Sequence, residues 1–198
     1  MTSTPGVTEP IQHTRHQPRG LAALLTLGGI AGLVSAFMLT HDEFKIAQDP
    51  NFVPSCNINA IVSCASVMKS DQAIVFGFPN PWIGMLVFPI VITIGVLLLA
   101  KVDFPEWIWA GLQAGVLFGV GFVTWLQYQT TYNIGALCPW CMVVWAVVIP
   151  TFLYVTIRNL RAWIPGHPVV EFLRDWHVLI LALWYVLIAT LIYFHFWA

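Results

Sequence analysis

Charge is what this sequence has least of. Lys, Arg, Asp and Glu together make up 9% of its 198 residues, eight basic against nine acidic, where a soluble domain carries about a quarter. A chain this poor in charge has too little polar surface to face water on all sides, and its 59% hydrophobic content assigns it to the bilayer, with membrane lipid as its surroundings. A net charge of −1 gives no positive field for nucleic acid and no polybasic patch for lipid headgroups. Nucleic acid is not expected as a partner on that ground. No internal repeat recurs at a fixed period, and cysteine is scarce, with four in the whole chain.

Long apolar runs are what the chain does have. Five stretches approach the roughly 20 residues needed to cross a hydrocarbon core: residues 21–40, 82–100, 107–128, 138–157 and 176–197. The expected class is all-α, an integral membrane four-helix bundle with a fifth transmembrane helix. Residues 1–20, rich in Thr, Pro, Gln and His, read as a disordered cytoplasmic tail. The first span is not a cleavable signal, because its leader, with Arg15 and Arg19, is long and "SAFMLTHDEF" offers no small-x-small site. Residues 21–158 form the expected core with an outer loop at 41–81; residues 159–198 form a cytoplasmic connector and the fifth helix. Lys and Arg accumulate in cytoplasmic segments. Arg15, Arg19, Lys101, Arg158, Arg161 and Arg174 share one side, and only Lys45 and Lys69 lie on the other. The expected orientation is therefore N-terminus inside and C-terminus outside, in a cell membrane.

In that topology Cys56, Cys64, Cys138 and Cys141 all fall on the outer side, where disulfides persist. Three readings compete. A zinc site of four thiolates requires paired ligands at short spacing; Cys138 and Cys141 have it, whereas seven residues separate Cys56 from Cys64. Purely structural disulfides are the second, but a C-x-x-C bridge closes too small a loop to restrain the unfolded chain much. The third is a redox relay. Pro139 suits the first helical position, which puts Cys138 at the N-cap, where free N–H groups and the helix dipole favour a thiolate. Cys141, one turn on, shares its face and sits deeper. The loop "PSCNINAIVSCASVMKSDQAIVFGFPNPW" is apolar in patches and predicts a short amphipathic helix over the bundle mouth, holding Cys64 over Cys138 and leaving Cys56 at the edge. Two pairs at unequal depth then pass electrons by thiol–disulfide exchange.

C-x7-C in the first outer loop, then Ser70, "FGFPN", Gly84, and C-x-x-C opening the fourth helix: this ordered layout resembles the vitamin K epoxide reductase family, in particular its bacterial quinone-linked members, over roughly residues 21–158. The resemblance implies a four-helix bundle around a quinone pocket. It implies electrons taken from a secreted thioredoxin-fold (DsbA-like) protein, passed through the loop and helix cysteines to menaquinone or ubiquinone, and hence reoxidation of the protein that makes disulfides. By the same resemblance Cys56 is attacked by the partner, Cys64 exchanges with Cys138, and Cys141 faces the ring. Asn80 matches an amide that hydrogen-bonds a quinone carbonyl, Ser70 a hydroxyl-bearing position, and Phe76, Leu126, Ile134 and Trp145 are pocket candidates. Trp145 stands where the animal enzymes carry tyrosine, which favours a quinone over an epoxide. The chain stops at Ala198 without the thioredoxin-like domain that many relatives carry, so the partner is expected to be a separate protein. Two other functions remain open here. A DsbB-type oxidase also links four thiols to a quinone, but with its C-x-x-C in the first loop. A non-catalytic subunit would use the disulfides to clamp a docking loop.

Other features have plainer readings. Trp82, Trp107, Trp109, Trp163, Trp176 and Trp197 lie near span ends and read as an aromatic belt. Gly111, Gly115 and Gly119 have the small-x-x-x-small spacing of close helix packing, and Pro89 and Pro150 read as kinks. His177 and His195 read as interfacial, and His41, beside Asp42 and Glu43, is a candidate for proton release.

Overall fold

A backbone surrounded by hydrocarbon has to satisfy its own N–H and C=O groups, so each apolar stretch folds as a helix. The computed structural model describes residues 19–49 and 51–197; the expected tail, with Arg15, lies almost wholly outside them. The protein is an all-α integral membrane protein with five helices long and apolar enough to cross a bilayer. These are α1 (Arg19–Gln48), α3 (Pro81–Leu99), α4 (Glu106–Ile134), α5 (Pro139–Trp163) and α6 (Pro168–Trp197). A short α2 (Cys64–Met68) precedes α3. Among the described residues the one β-type pairing is an isolated parallel bridge between Val62 and Leu137.

The helix starts follow local rules: Pro81, Pro139 and Pro168 each open a helix, where a missing N–H costs nothing. Four helices run further than their apolar cores suggest. α1 continues past Thr40 to Gln48, α4 past Tyr128 to Ile134 and α5 past Ile157 to Trp163, and α6 begins at Pro168 rather than Trp176. At 1.5 Å per residue, the 30 residues of α1 span about 45 Å against a core of about 30 Å, so the turns around His41–Lys45 stand beyond the hydrocarbon. α4 ends in a widened π-type turn, Gln129–Ile134, and Gly135 stops it with φ +67°, a left-handed conformation that suits glycine.

α1 packs against α3 and α5, and α4 packs against α5, whereas α3 and α4 barely touch. The bundle is thus closed on three sides and open along the α3–α4 seam. The α1–α3 contact is made by glycines: a Cβ at Gly32 would lie 2.3 Å from the Phe88 ring, and one at Gly95 would lie 2.6 Å from the Thr26 hydroxyl. Gly111 and Gly115, predicted to bring helices together, do not; a Cβ on either would meet nothing within 4 Å.

Away from the cysteines, α4 and α5 are joined by polar contacts. Asn159, fully buried, donates to the Trp109 carbonyl at 3.1 Å and to Gln113 Oε1 at 3.0 Å. Gln113 in turn donates to the Thr156 hydroxyl at 3.0 Å. Trp109 is not in an aromatic belt as expected: it is wholly buried, with the Arg158 guanidinium 3.7 Å above its ring. Trp107, two residues earlier, is exposed, as a membrane anchor should be. α6 leans on the outside of α5. Pro150 has no N–H to give the carbonyl of Ala146 four residues back, and the Tyr185 hydroxyl of α6 fills that vacancy at 2.9 Å.

Candidate active site

The loop between α1 and α3 is shaped by its own polar side chains. Asn59 Oδ1 accepts from the N–H groups of Ile61 and Val62 at 2.9 and 2.7 Å, forming a tight turn. Asn57 Oδ1 accepts from Ala65 N–H, and Ser63 caps α2 by accepting from Ser66 N–H. The Val62–Leu137 bridge then ties this loop to the segment entering α5, through Ser63 N–H to the Leu137 carbonyl (2.9 Å) and Leu137 N–H to the Ile61 carbonyl (2.7 Å). One residue past each of those N–H groups comes a cysteine, so the bridge sets Cys64 against Cys138.

Cys56 and Cys64 form a disulfide, and Cys138 and Cys141 are free thiols. Cys138 Sγ lies 3.4 Å from Cys64 Sγ, close enough for exchange once one of them is ionised. Cys138 is the N-cap of α5, and its sulfur accepts from Cys141 N–H at 3.5 Å. The Cys141 thiol, donating to that sulfur, holds Cys138 below the ordinary thiol range; the backbone N–H groups of Cys141 and Trp140 add to this, while burial and the Asp42 carboxylate oppose it. Leu39, Val67, Met68 and Trp140 close around the cluster. Cys56, expected at an accessible edge, is drawn inward by its bond to Cys64 and is only 7% exposed. It is still the most exposed of the three buried cysteines, with Cys138 at 1% and Cys64 at 0%.

Beneath the cysteines lies a cavity of about 780 Å³, within the range for small-molecule sites. Cys138 and Cys141 are on its wall, with Asn80, Ser70, Leu126, Ile134 and Trp145. It runs down the open seam past Gly115 and Gly111 to Trp107. Asn80 sits where α3 begins. Its backbone N–H donates to the Ala73 carbonyl and its Nδ2 to the Gln72 carbonyl at 2.7 Å, which fastens the cap to the helix. Its Oδ1 is buried with no partner. Ser70 donates to the Val67 carbonyl at 2.7 Å and keeps lone pairs free. Phe76 departs from expectation: it is not on the wall. Gly77, at φ +80°, turns the chain there, and the Phe76 ring stands exposed at 46%, packed on the outer sides of Phe118 and Phe122, which do line the cavity. Glu43, Met68 and Thr130 are wall residues that were not singled out for the pocket. No sequence pattern marked Glu43 for it, because only the fold shows that α1 runs past Thr40 and that Leu39, one turn earlier, packs on the cysteines.

A helical membrane protein with two cysteine pairs stacked above an apolar cavity belongs to the class of membrane thiol–disulfide oxidoreductases. The sequence model of the vitamin K epoxide reductase family matches residues 23–156, more than half of the chain, and the protein belongs to that family. It is accordingly a multi-pass membrane redox enzyme of disulfide-bond formation. No curated protein matches the chain.

Proposed function

We propose that the protein oxidises a thioredoxin-fold (DsbA-like) protein on the outer face of a cell membrane and delivers the electrons to a membrane quinone. The observation that carries this reading is the 3.4 Å approach of Cys64 and Cys138 directly above a cavity that also exposes Cys141. The N-terminus-inside orientation follows from the distribution of Lys and Arg.

The thiol steps balance within the chain. A partner thiolate attacks Cys56, breaking the Cys56–Cys64 bond; the partner's second thiol resolves the mixed disulfide, leaving the partner oxidised and both loop cysteines reduced. Cys64 then attacks Cys138 of a Cys138–Cys141 disulfide and releases Cys141. Cys56 closes on Cys64 and releases Cys138 as a thiolate, which its N-cap position stabilises. The result is the state described here, with the loop pair oxidised and the helix pair reduced.

The residues present fit a quinone. The wall is apolar, and the orphaned Asn80 Oδ1 is placed to accept from a quinol hydroxyl, while the second N–H of the same amide is free for a quinone carbonyl. A bound quinone supplies a sink for two electrons and two protons. Cys141 presents its sulfur to that site, Asn80 and Ser70 orient the ring, and Trp145 and Leu126 exclude water.

The test is anaerobic incubation of purified, reduced protein with menaquinone and ubiquinone analogues, following quinone absorbance and the alkylation state of each cysteine. Stoichiometric quinone reduction with loss of the Cys138 and Cys141 thiols is expected. Thiols that stay reduced beside unreacted quinone overturn the reading and leave a structural clamp.

A further inference from the structure

α1 lays Leu39 against the cysteine cluster. Asp42 and Glu43, three and four residues later, project from the same side of the helix about one turn higher. They are adjacent, so their side chains diverge by about 100°. Asp42 turns toward the cysteines: it is 4% exposed, its Oδ2 is buried without a partner, and its charge acts on Cys138. Glu43 turns to the cavity. It is on the wall, and its Oε2 is likewise buried without a partner. Apart from Cys138 and Cys141 it is the one ionisable side chain among the wall residues. An unpaired buried carboxyl oxygen is costly, and no contact within the described fold employs this one. Its helical turn stands beyond the hydrocarbon, with exposed His41 and Lys45 on either side, so water is within reach.

We propose that Glu43 holds at its carboxyl group the proton that a quinone oxygen receives while the Cys138–Cys141 bond closes. The inference rests on the quinone reading above. Closing the bond removes two electrons from the sulfurs. The Cys141 thiol releases one proton in doing so, but Cys138, which leaves the preceding exchange as a thiolate with Cys141 N–H directed at its sulfur, has none to release. A quinol needs two protons, so the second comes from elsewhere. Glu43 supplies it, is left as a carboxylate, and regains a proton from water at the mouth, so charge and atoms balance. The other titratable groups at this end are His41, Asp42, Lys45 and Asp49 on or just after α1, Lys69 and Asp71 on the cap, Tyr128 and Tyr132 at the end of α4, Tyr193 and His195 at the end of α6, and the two thiols of α5. α3 and α4 add none to the wall.

Glu43→Gln keeps the shape and removes the proton. With menadione as acceptor, kcat is expected to fall about 100-fold, as for loss of a general acid, with KM unchanged and the decline of kcat on raising the pH through the Glu43 titration gone. Exchange between Cys64 and Cys138 should proceed as before. A second readout needs no turnover. Dicyclohexylcarbodiimide, which reacts with protonated carboxyls, should label Glu43 in the wild-type protein, and menadione should block the adduct, as read by mass spectrometry. Full kcat with an unaltered pH profile in the variant overturns the proposal, and so does labelling of Glu43 indifferent to menadione. The labelling decides alone if the variant does not fold. If wild-type protein with intact thiols reduces no quinone, the preceding reading falls and takes this one with it; normal quinone reduction by Glu43→Gln removes only this one.

Discussion

Between α1 and α3, Gly29, Gly32, Gly84 and Gly95 are pressed against Ile92, Phe88, Ala36 and Thr26; along the face of α4 turned to α3, Gly111 and Gly115 meet nothing. The same residue serves opposite ends. On the first seam the missing side chain lets two backbones approach, which is how helices attract one another where no hydrophobic effect acts between them. On the second it leaves room, and the cavity fills that room up to Cys141. A glycine spacing therefore says that a helix face is flat, and only the neighbouring helix decides whether flatness means contact or space.

Substitutions can separate the two seams. The largest effect is expected at the head of the open one: Cys141→Ser should abolish quinone reduction and trap a Cys64–Cys138 bridge, visible by mass mapping under non-reducing conditions. Cys56→Ser should chiefly damage turnover with the protein partner and spare oxidation of a small dithiol. Equal, mild losses for both would remove the relay. Next, Gly115→Leu fills the open seam. It should weaken binding of a quinone analogue by about 1–3 kcal/mol, on the order of tenfold to a hundredfold, with no drop in thermal stability. An unchanged affinity would show that the seam is not the site.

On the closed seam the sign of the stability change should differ. Gly32→Ala puts a methyl into the Phe88 ring and should cost about 1–3 kcal/mol in detergent unfolding, whereas Gly111→Ala, with open space around it, should be neutral or stabilise by up to about 1 kcal/mol. Matching losses for the two would erase the distinction. The smallest expected effect is a shift in titration. Because Cys138 is held below the ordinary thiol range, its alkylation should persist on acidification past the point where an ordinary thiol is protonated. Cys141→Ala removes the leading cause and should move that midpoint up in pH; Asp42→Asn removes an opposing charge and should move it down. Rates of iodoacetamide labelling against pH read both.

Much of the site was legible because it is written in local chemistry. Pro139 after Cys138 predicts an N-cap cysteine, and the cap is there. The apolar patches of the loop predict a short helix over the bundle mouth, and α2 holds Cys64 beside Cys138. What failed to show was whatever depends on a partner distant in sequence. Trp109 has the position of a belt residue, but Arg158 and Asn159, from another helix, cover it. Phe76 lies in a motif beside Asn80, yet one left-handed glycine turns it outward. Glu43 looks like ordinary interfacial charge until α1 is seen to run past Thr40 and carry it over the cavity.

By itself the sequence determined that this chain lives in a membrane, how many times it can cross, and which end of the bundle holds its sulfur, because hydropathy, helix length and cysteine position are properties of contiguous residues. The tertiary structure alone decided that the loop pair is bonded while the helix pair is free, that Cys56 is drawn inward from the edge, and that α3 and α4 part to leave a cavity. Those outcomes depend on surfaces that meet only in the folded chain, and a pattern read along contiguous residues does not contain them.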